Sequence, residues 1–478
     1  MITLFIAVPL LVVLILNLLP RKLADTLDFW CGMALTVISG LYVLTTSQST
    51  WISGFDPVNR VLNWKIVPID LSAVMLVSIA LVVFSAFWVG RYLFSDKNRQ
   101  FIFNNLLLLC MVGMNGLVFS QDLFTLYVFL EIVAASSFIL IALEKTKAGL
   151  EGAFKYILLS AVATVLLLSS IALIFMTCGS LDYYTIRACL TSGQLDAGAE
   201  RFALFAVCLF VAGLFIKGGM VPFHGWLPDA YSSAPTAVSV LLGGIVTKAA
   251  GVFTLIQIVR NVFVLDSPSP ILLTIGTISI AVGAFAALGQ KNFKRMLAYS
   301  SISQIGYIVI GLGSANIIGV AGAIFHIFNH SVFKTLLFVN AAAVEKQSGT
   351  VDMDKLGGLS NKMPVTGFTS VLAFLSTAGV PPLSGFWSKL LIVLGVWQSG
   401  SPVIAGIAIL FSLVTLAYFL SMQRRVFFGK LAAGLEEIRE ADFRALVPAI
   451  VLAIITLVLG LTFPWLFNTF LVPLESLL

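Results

Sequence analysis

Charge is scarce in this chain. Of its 478 residues only 10% are charged, against about 25% in a soluble domain. No polar stretch is longer than a loop, which excludes a separate soluble domain. The five cysteines (Cys31, Cys110, Cys178, Cys189, Cys208) form no CxxC pair, and there are three histidines. Haem and iron–sulfur ligation are therefore not expected. No glycine-rich dinucleotide loop and no nucleophile with its base is visible, so no catalytic site, cofactor or metal is expected.

What is abundant is apolar sequence: 59% of residues are hydrophobic and the mean hydropathy is +1.04. These values describe an all-α polytopic membrane protein, a single membrane domain over residues 1–478. The first apolar run, Ile2 to Leu19, lacks a basic leader and a small-residue cleavage site, so it reads as a retained helix. Further runs of spanning length lie near 27–47, 69–90, 101–119, 122–142, 153–176, 202–222, 235–259, 270–289, 296–313, 316–343, 364–399, 402–423 and 445–470. About fourteen spans are expected.

Placing the N-terminus outside puts 19 of the 28 Lys and Arg in inside loops and five in outside loops. Positive residues accumulate on the cytoplasmic side, so both termini are expected on the outer face of a cell membrane. This bias also accounts for the net charge of +6 without nucleic acid.

Four lysines fall inside apolar runs: Lys217, Lys248, Lys334 and Lys389. Among 22 Asp and Glu, Glu131 alone is read as mid-span, roughly 14 Å from either end at about 1.5 Å per residue. Charge inside a membrane is costly, so such residues mark function by default; structural ion pairs and snorkelling lysines are the competing explanation.

Two interrupted spans accompany them. Gly219, Pro222 and Gly225 recur as Gly379, Pro382 and Gly385 at a constant offset, in spans that the charge count sends in opposite directions. Paired broken helices in inverted halves point to a midplane site. In the eleventh span, His326, His330 and Lys334 follow at steps of four and share one helix face. No third ligand accompanies the histidines, so the stripe suits a proton relay better than zinc.

The order of Glu131, Lys217 before a Pro-x-His-x-Trp-Leu-Pro-x-Ala break, Lys248, the His-x-x-x-His-x-x-x-Lys run and the Pro-rich break before Lys389 resembles the antiporter-like subunits of complex I and of Mrp-type cation/proton antiporters. The resemblance spans about residues 100–425. It implies fourteen helices with two inverted five-helix repeats, 101–262 (helices 4–8) and 270–424 (helices 9–13). It further implies a proton path along Glu131, Lys217, Lys248, His326, His330, Lys334 and Lys389. His224 and Asp229, within the first break, are supporting groups. Lys389 matches the lysine-bearing members, including the Mrp D-type and membrane-bound hydrogenase relatives, and the long lateral helix of the distal complex I member is not expected. Implied partners are other membrane subunits, peripheral redox proteins, the lipid bilayer, protons and sodium. A carrier of small anions, with lysines as counter-charges, is the rival reading; a non-conducting scaffold is the other.

Two smaller expectations concern loops. Cys178 and Cys189 lie in an outer loop with no other staple-like feature, and are read as unpaired. In the segment 423–446, Leu435, Ile438 and Phe443 punctuate a charged run, which predicts a short amphipathic helix docking partners through Glu436, Glu437 and Glu440.

Overall fold

The structure, a computed structural model, describes residues 3–46, 71–193, 195–263 and 267–470. Among these the regular structure is helical: α1 (Val8–Leu18), α2 (Arg21–Thr46), α3 (Leu71–Leu93), α4 (Lys97–Phe119), α5 (Leu123–Ile141), α6 (Lys147–Cys178), α7 (Tyr183–Thr191), α8 (Ala197–Gly218), α9 (Trp226–Ser233), α10 (Thr236–Leu241), α11 (Thr254–Asn261), α12 (Pro270–Leu288), α13 (Phe293–Gly313), α14 (Ile317–Ser348), α15 (Pro364–Ala378), α16 (Ser384–Gln398), α17 (Pro402–Val426) and α18 (Phe443–Phe470). Among the described residues, eleven helical stretches are long and apolar enough to cross a membrane, and 5–18, 27–43 and 364–378 form shorter apolar helices. The chain is a multi-pass membrane protein.

Polar residues at the span ends explain where the helices begin. A helix start leaves backbone N–H groups without partners, and a short polar side chain can satisfy one or two of them. Asp96, Asp122, Thr146, Asp182, Asp196, Ser269, Asn292 and Asn316 all accept from the first turn of the helix that follows. Several of the acidic residues that the sequence places in loops are thus structural caps.

The two halves share local geometry. Asp122 bridges to Asp182 and Asn292 to Asp352, each pair closing the loops around a helical hairpin. The second helices of these hairpins, α6 and α14, have 32 residues each and end on left-handed glycines, Gly179 and Gly349. Gly219 and Gly379 end α8 and α15 in the same left-handed conformation, at φ 65° and 84°. That conformation is open to glycine and strained for other residues, so these two glycines impose the breaks.

The stretch 236–261 is the centre of the bundle: every residue of its apolar window is buried, against about a third for α6 and α17. Its middle is π-helical over Leu242–Val246 and Lys248–Phe253. Widened turns of this kind occur often at functional sites.

The run 364–399 is interrupted as expected, because the Gly379 turn and Pro382 stop α15 before α16 begins. Several other expectations are corrected. The segment between α17 and α18 is irregular, not an amphipathic helix; Gly429 and Gly434 have positive φ, which interrupts any helix there. Leu435 and Ile438 are buried as the pattern required, but Phe443 begins α18 with its ring exposed. Cys178 and Cys189 form a disulfide: the left-handed turn at Gly179 and the start of α7 bring their Cα atoms to 5.8 Å. Asp28 lies within α2 and is buried, whereas Glu345 falls in the last turn of α14, at the span end.

Candidate functional site

Lys217 is the penultimate residue of α8, where unpaired helix carbonyls favour a cation. Its side chain is 1% exposed and reaches Glu131 on α5, with Nζ 3.0 Å from Oε1. Lys217 also donates to Ser160 Oγ at 2.7 Å, and Thr164 Oγ1 donates to the same Glu131 oxygen at 2.7 Å. The two hydroxyls come from α6, one turn apart, so three helices build the pair. Glu131, expected to be buried, is 34% exposed on its side chain. Val128 and Ile139 on the same helix are also exposed, which places Glu131 at the edge of the bundle's lateral face.

Lys248 opens the second π-helical turn, fully buried, and donates to the Gly243 carbonyl. Among the described residues no carboxylate lies within ion-pair distance of it. Tyr231 braces the same turns, donating to Leu242 O at 2.7 Å and meeting Thr247 Oγ1 at 3.0 Å. The Lys217 and Lys248 segments are packed through glycines: a Cβ on Gly251 would stand 2.2 Å from the Gly218 Cα.

On α14, His326, His330 and Lys334 are all fully buried on one face, with the imidazoles stacked at 6.1 Å. His326 Nδ1 meets Ser388 Oγ at 2.8 Å, and Ser388 donates to Gly385 O at 3.1 Å. A hydroxyl carries one proton, so His326 must donate from Nδ1, which leaves Nε2 as an acceptor. His326 Nε2 and both nitrogens of His330 find no protein partner among the described residues. Buried polar atoms of this kind are ordinarily served by water. Lys334 donates to Leu297 O at 3.0 Å.

Lys389 follows Ser388 on α16. Its Nζ lies 4.4 Å from the Tyr307 ring centre and 3.5 Å from Ser412 Oγ. Lys248, His326, His330, Lys334 and Lys389 are all buried in the bundle interior. Among the described residues, no group of three His, Cys, Asp or Glu is placed to hold a metal.

His224 and Asp229 stand apart from this line. His224 is half-buried in the short turn after the break. Asp229 is clamped by Lys155 at 2.7 Å and by Arg295, tying α9 to α6 and α13. Gly225 and Gly385 share a motif position but not a role. Space is open around Gly225, whereas a Cβ on Gly385 would meet Ser376 O at 1.9 Å.

One buried lysine escapes the sequence reading. Lys294, counted with the inside loop, is 4% exposed and donates to Ala234 O at 2.9 Å and Thr236 Oγ1 at 3.0 Å, with Glu345 at 3.6 Å. Only the cap at Asn292, which starts α13 before Lys294, could have signalled it.

Comparison with known proteins places these residues in a family. Residues 120–415 match the family model described as NADH:quinone oxidoreductase/Mrp antiporter, TM. The chain is 30% identical over 407 residues to the D-type subunit of the Na(+)/H(+) antiporter of Alkalihalophilus pseudofirmus, covering 83% of this chain and 81% of that one. It is 33% identical over 486 residues to the N-type subunit of the NADH-quinone oxidoreductase of Desulforudis audaxviator, covering 96% and 95%. A chain in the structure of the Mrp complex from Dietzia sp. DQ12-45-1b shares the fold, with a TM-score of 0.84 and 23% identity over 97% of this chain and 95% of that one. The chain belongs to the NADH:quinone oxidoreductase/Mrp antiporter membrane family.

Proposed function

We propose that this chain is the proton-translocating, antiporter-like membrane subunit of a multisubunit cation/proton antiporter or redox-driven ion pump. The observation that carries the reading is the Lys217–Glu131 pair at 3.0 Å, set beside a line of buried cationic and imidazole groups. Glu131 and Lys217 form the gate, Lys248 the junction, and His326, His330, Lys334 and Lys389 the continuation of the path. Lys217 is buried, so loss of its partner leaves an uncompensated charge, at a cost near the lower end of the about 3–5 kcal/mol for buried pairs because Glu131 is partly exposed. If Glu131 swings away, Lys217 relieves that cost by releasing a proton towards Lys248.

A carrier of small anions needs its cations around one pocket. Here they follow one another from α8 through the π-helical centre to α14 and α16, which favours a proton path. The matched caps, bridges and left-handed glycines support reading 97–261 and 270–426 as two inverted five-helix repeats, close to the 101–262 and 270–424 of the sequence reading. The Lys and Arg bias supports both termini on the outer face of the inner membrane, in a bundle of fourteen spans. The relatives' names support other membrane subunits as partners, with peripheral redox proteins in a redox-driven complex and sodium as counter-ion in an antiporter. Proton movement by the assembled complex carrying Glu131→Gln or Lys248→Ala tests the function.

A further inference from the structure

A cavity of about 400 Å³ lies away from the buried lysines, where the ends of α2, α3, α4 and α18 converge. Three cations line it: Arg91 from the last turn of α3, Lys97 from the first turn of α4 and Arg444 from the first turn of α18. Among the described residues none of the three has a carboxylate within ion-pair distance. Arg91 rests over the Phe29 ring at 4.9 Å and Arg444 over Phe443 at 5.8 Å, so ring faces hold both guanidiniums in place.

Of the acidic groups nearby, only Asp28 belongs to the lining. Asp28 lies in the lining, buried, with Oδ1 accepting from Phe29 N at 2.6 Å and Oδ2 from Asn104 Nδ2 at 2.8 Å. Asp442 accepts from the Arg444 backbone N–H, and Asp96 accepts from Asn98 N and pairs with Arg99 at 3.6 Å. Counting Asp28, the lining keeps an excess of two positive charges.

The cavity sits at the edge of the apolar spans. Trp30, also in its lining, is 61% exposed, and Phe443 beside it is 58% exposed; exposed aromatic rings at span ends mark the membrane interface. From Trp30 an exposed apolar stripe continues along α2 through Val37, Ile38 and Leu41, on one helix face.

We propose that this cavity is a binding site for the phosphate group of an anionic phospholipid. Arg91, Lys97 and Arg444 take the phosphate, Trp30 stands at headgroup level, and the acyl chains run along the α2 stripe. Arginine suits this role because its planar fork matches phosphate oxygens, and basic pockets between spans bind anionic headgroups. The continuation of the lining into an apolar stripe favours lipid over soluble phosphate.

The test uses the full chain in nanodiscs of phosphatidylcholine doped with phosphatidylglycerol or cardiolipin. Lipid retained after detergent extraction is read by native mass spectrometry for the wild type, for single Arg91→Gln, Lys97→Gln and Arg444→Gln variants, and for Lys430→Gln, an exposed cation outside the lining, as a control. Retention of the anionic lipid is expected to fall about fivefold for each lining charge removed and to stay unchanged in the control. Arg91→Lys, which keeps the charge, guards against a folding defect and should retain most of the lipid. Equal retention in the lining variants, or equal retention of phosphatidylcholine, would overturn the proposal. So would inorganic phosphate displacing the lipid at millimolar levels, because the site would then be one for soluble phosphate.

Discussion

Gly218 and Gly251 touch backbone to backbone, joining the end of α8, which carries Lys217, to the π-helical segment that begins with Lys248. Small residues allow such approach inside membranes, and here the contact sets how far apart the two lysines stand. Gly251→Ala would push a methyl into the Gly218 backbone, where no flexible side chain can give way. It should cost about 1–3 kcal/mol of stability and weaken proton pumping, whereas Gly218→Ala, which mainly meets the flexible Met220 end, should be milder. Thermal unfolding with parallel pumping assays checks both; a wild-type Gly251→Ala protein would refute this spacing role.

Ser388 fixes the orientation of His326 through the Nδ1 bond at 2.8 Å. Ser388→Ala leaves that buried donor without a partner, a loss of about 1–3 kcal/mol. Pumping should slow by roughly tenfold, with assembly unaffected and Ser388→Thr restoring most of the rate. Unchanged pumping in Ser388→Ala would remove His326 from the path.

Glu440 is engaged within the chain. Its carboxylate accepts from Val365 N and Thr366 Oγ1, each at 2.7 Å, and so caps α15, the first half of the second broken helix. Glu440→Lys should lower stability by about 0.5–2 kcal/mol, the usual cost of a lost cap, while Glu436→Lys and Glu437→Lys stay within about 0.5 kcal/mol of wild type. Melting curves of the purified chain distinguish this from a docking role, in which all three reversals would leave the melting point unchanged and reduce co-purification of partners.

The core of the site was legible because charge in an apolar run is conspicuous: Lys217, Lys248, Lys334 and Lys389 are all buried, and His326 and His330 share a face with Lys334. Gly219 and Gly379 were legible as breaks because glycine beside proline cannot continue a helix. Lys294 and Glu345 were not, since residues near a span end read as loop until the cap that starts the helix is seen. Likewise, the Cys178–Cys189 bridge depends on a turn that spacing does not encode. The exposure of Glu131 depends on which face of α5 looks sideways, and a helix apolar on every side does not announce that.

The central claim is that proton movement runs through Lys248 and is gated by the Lys217–Glu131 pair. The most direct measurement is proton uptake into vesicles containing the assembled complex, followed with a pH-sensitive dye, for wild type, Glu131→Gln and Lys248→Ala at matched assembly. The account predicts that Lys248→Ala abolishes pumping and that Glu131→Gln lowers it on the order of a hundredfold, the factor that about 3 kcal/mol corresponds to. Wild-type pumping in either variant would contradict it.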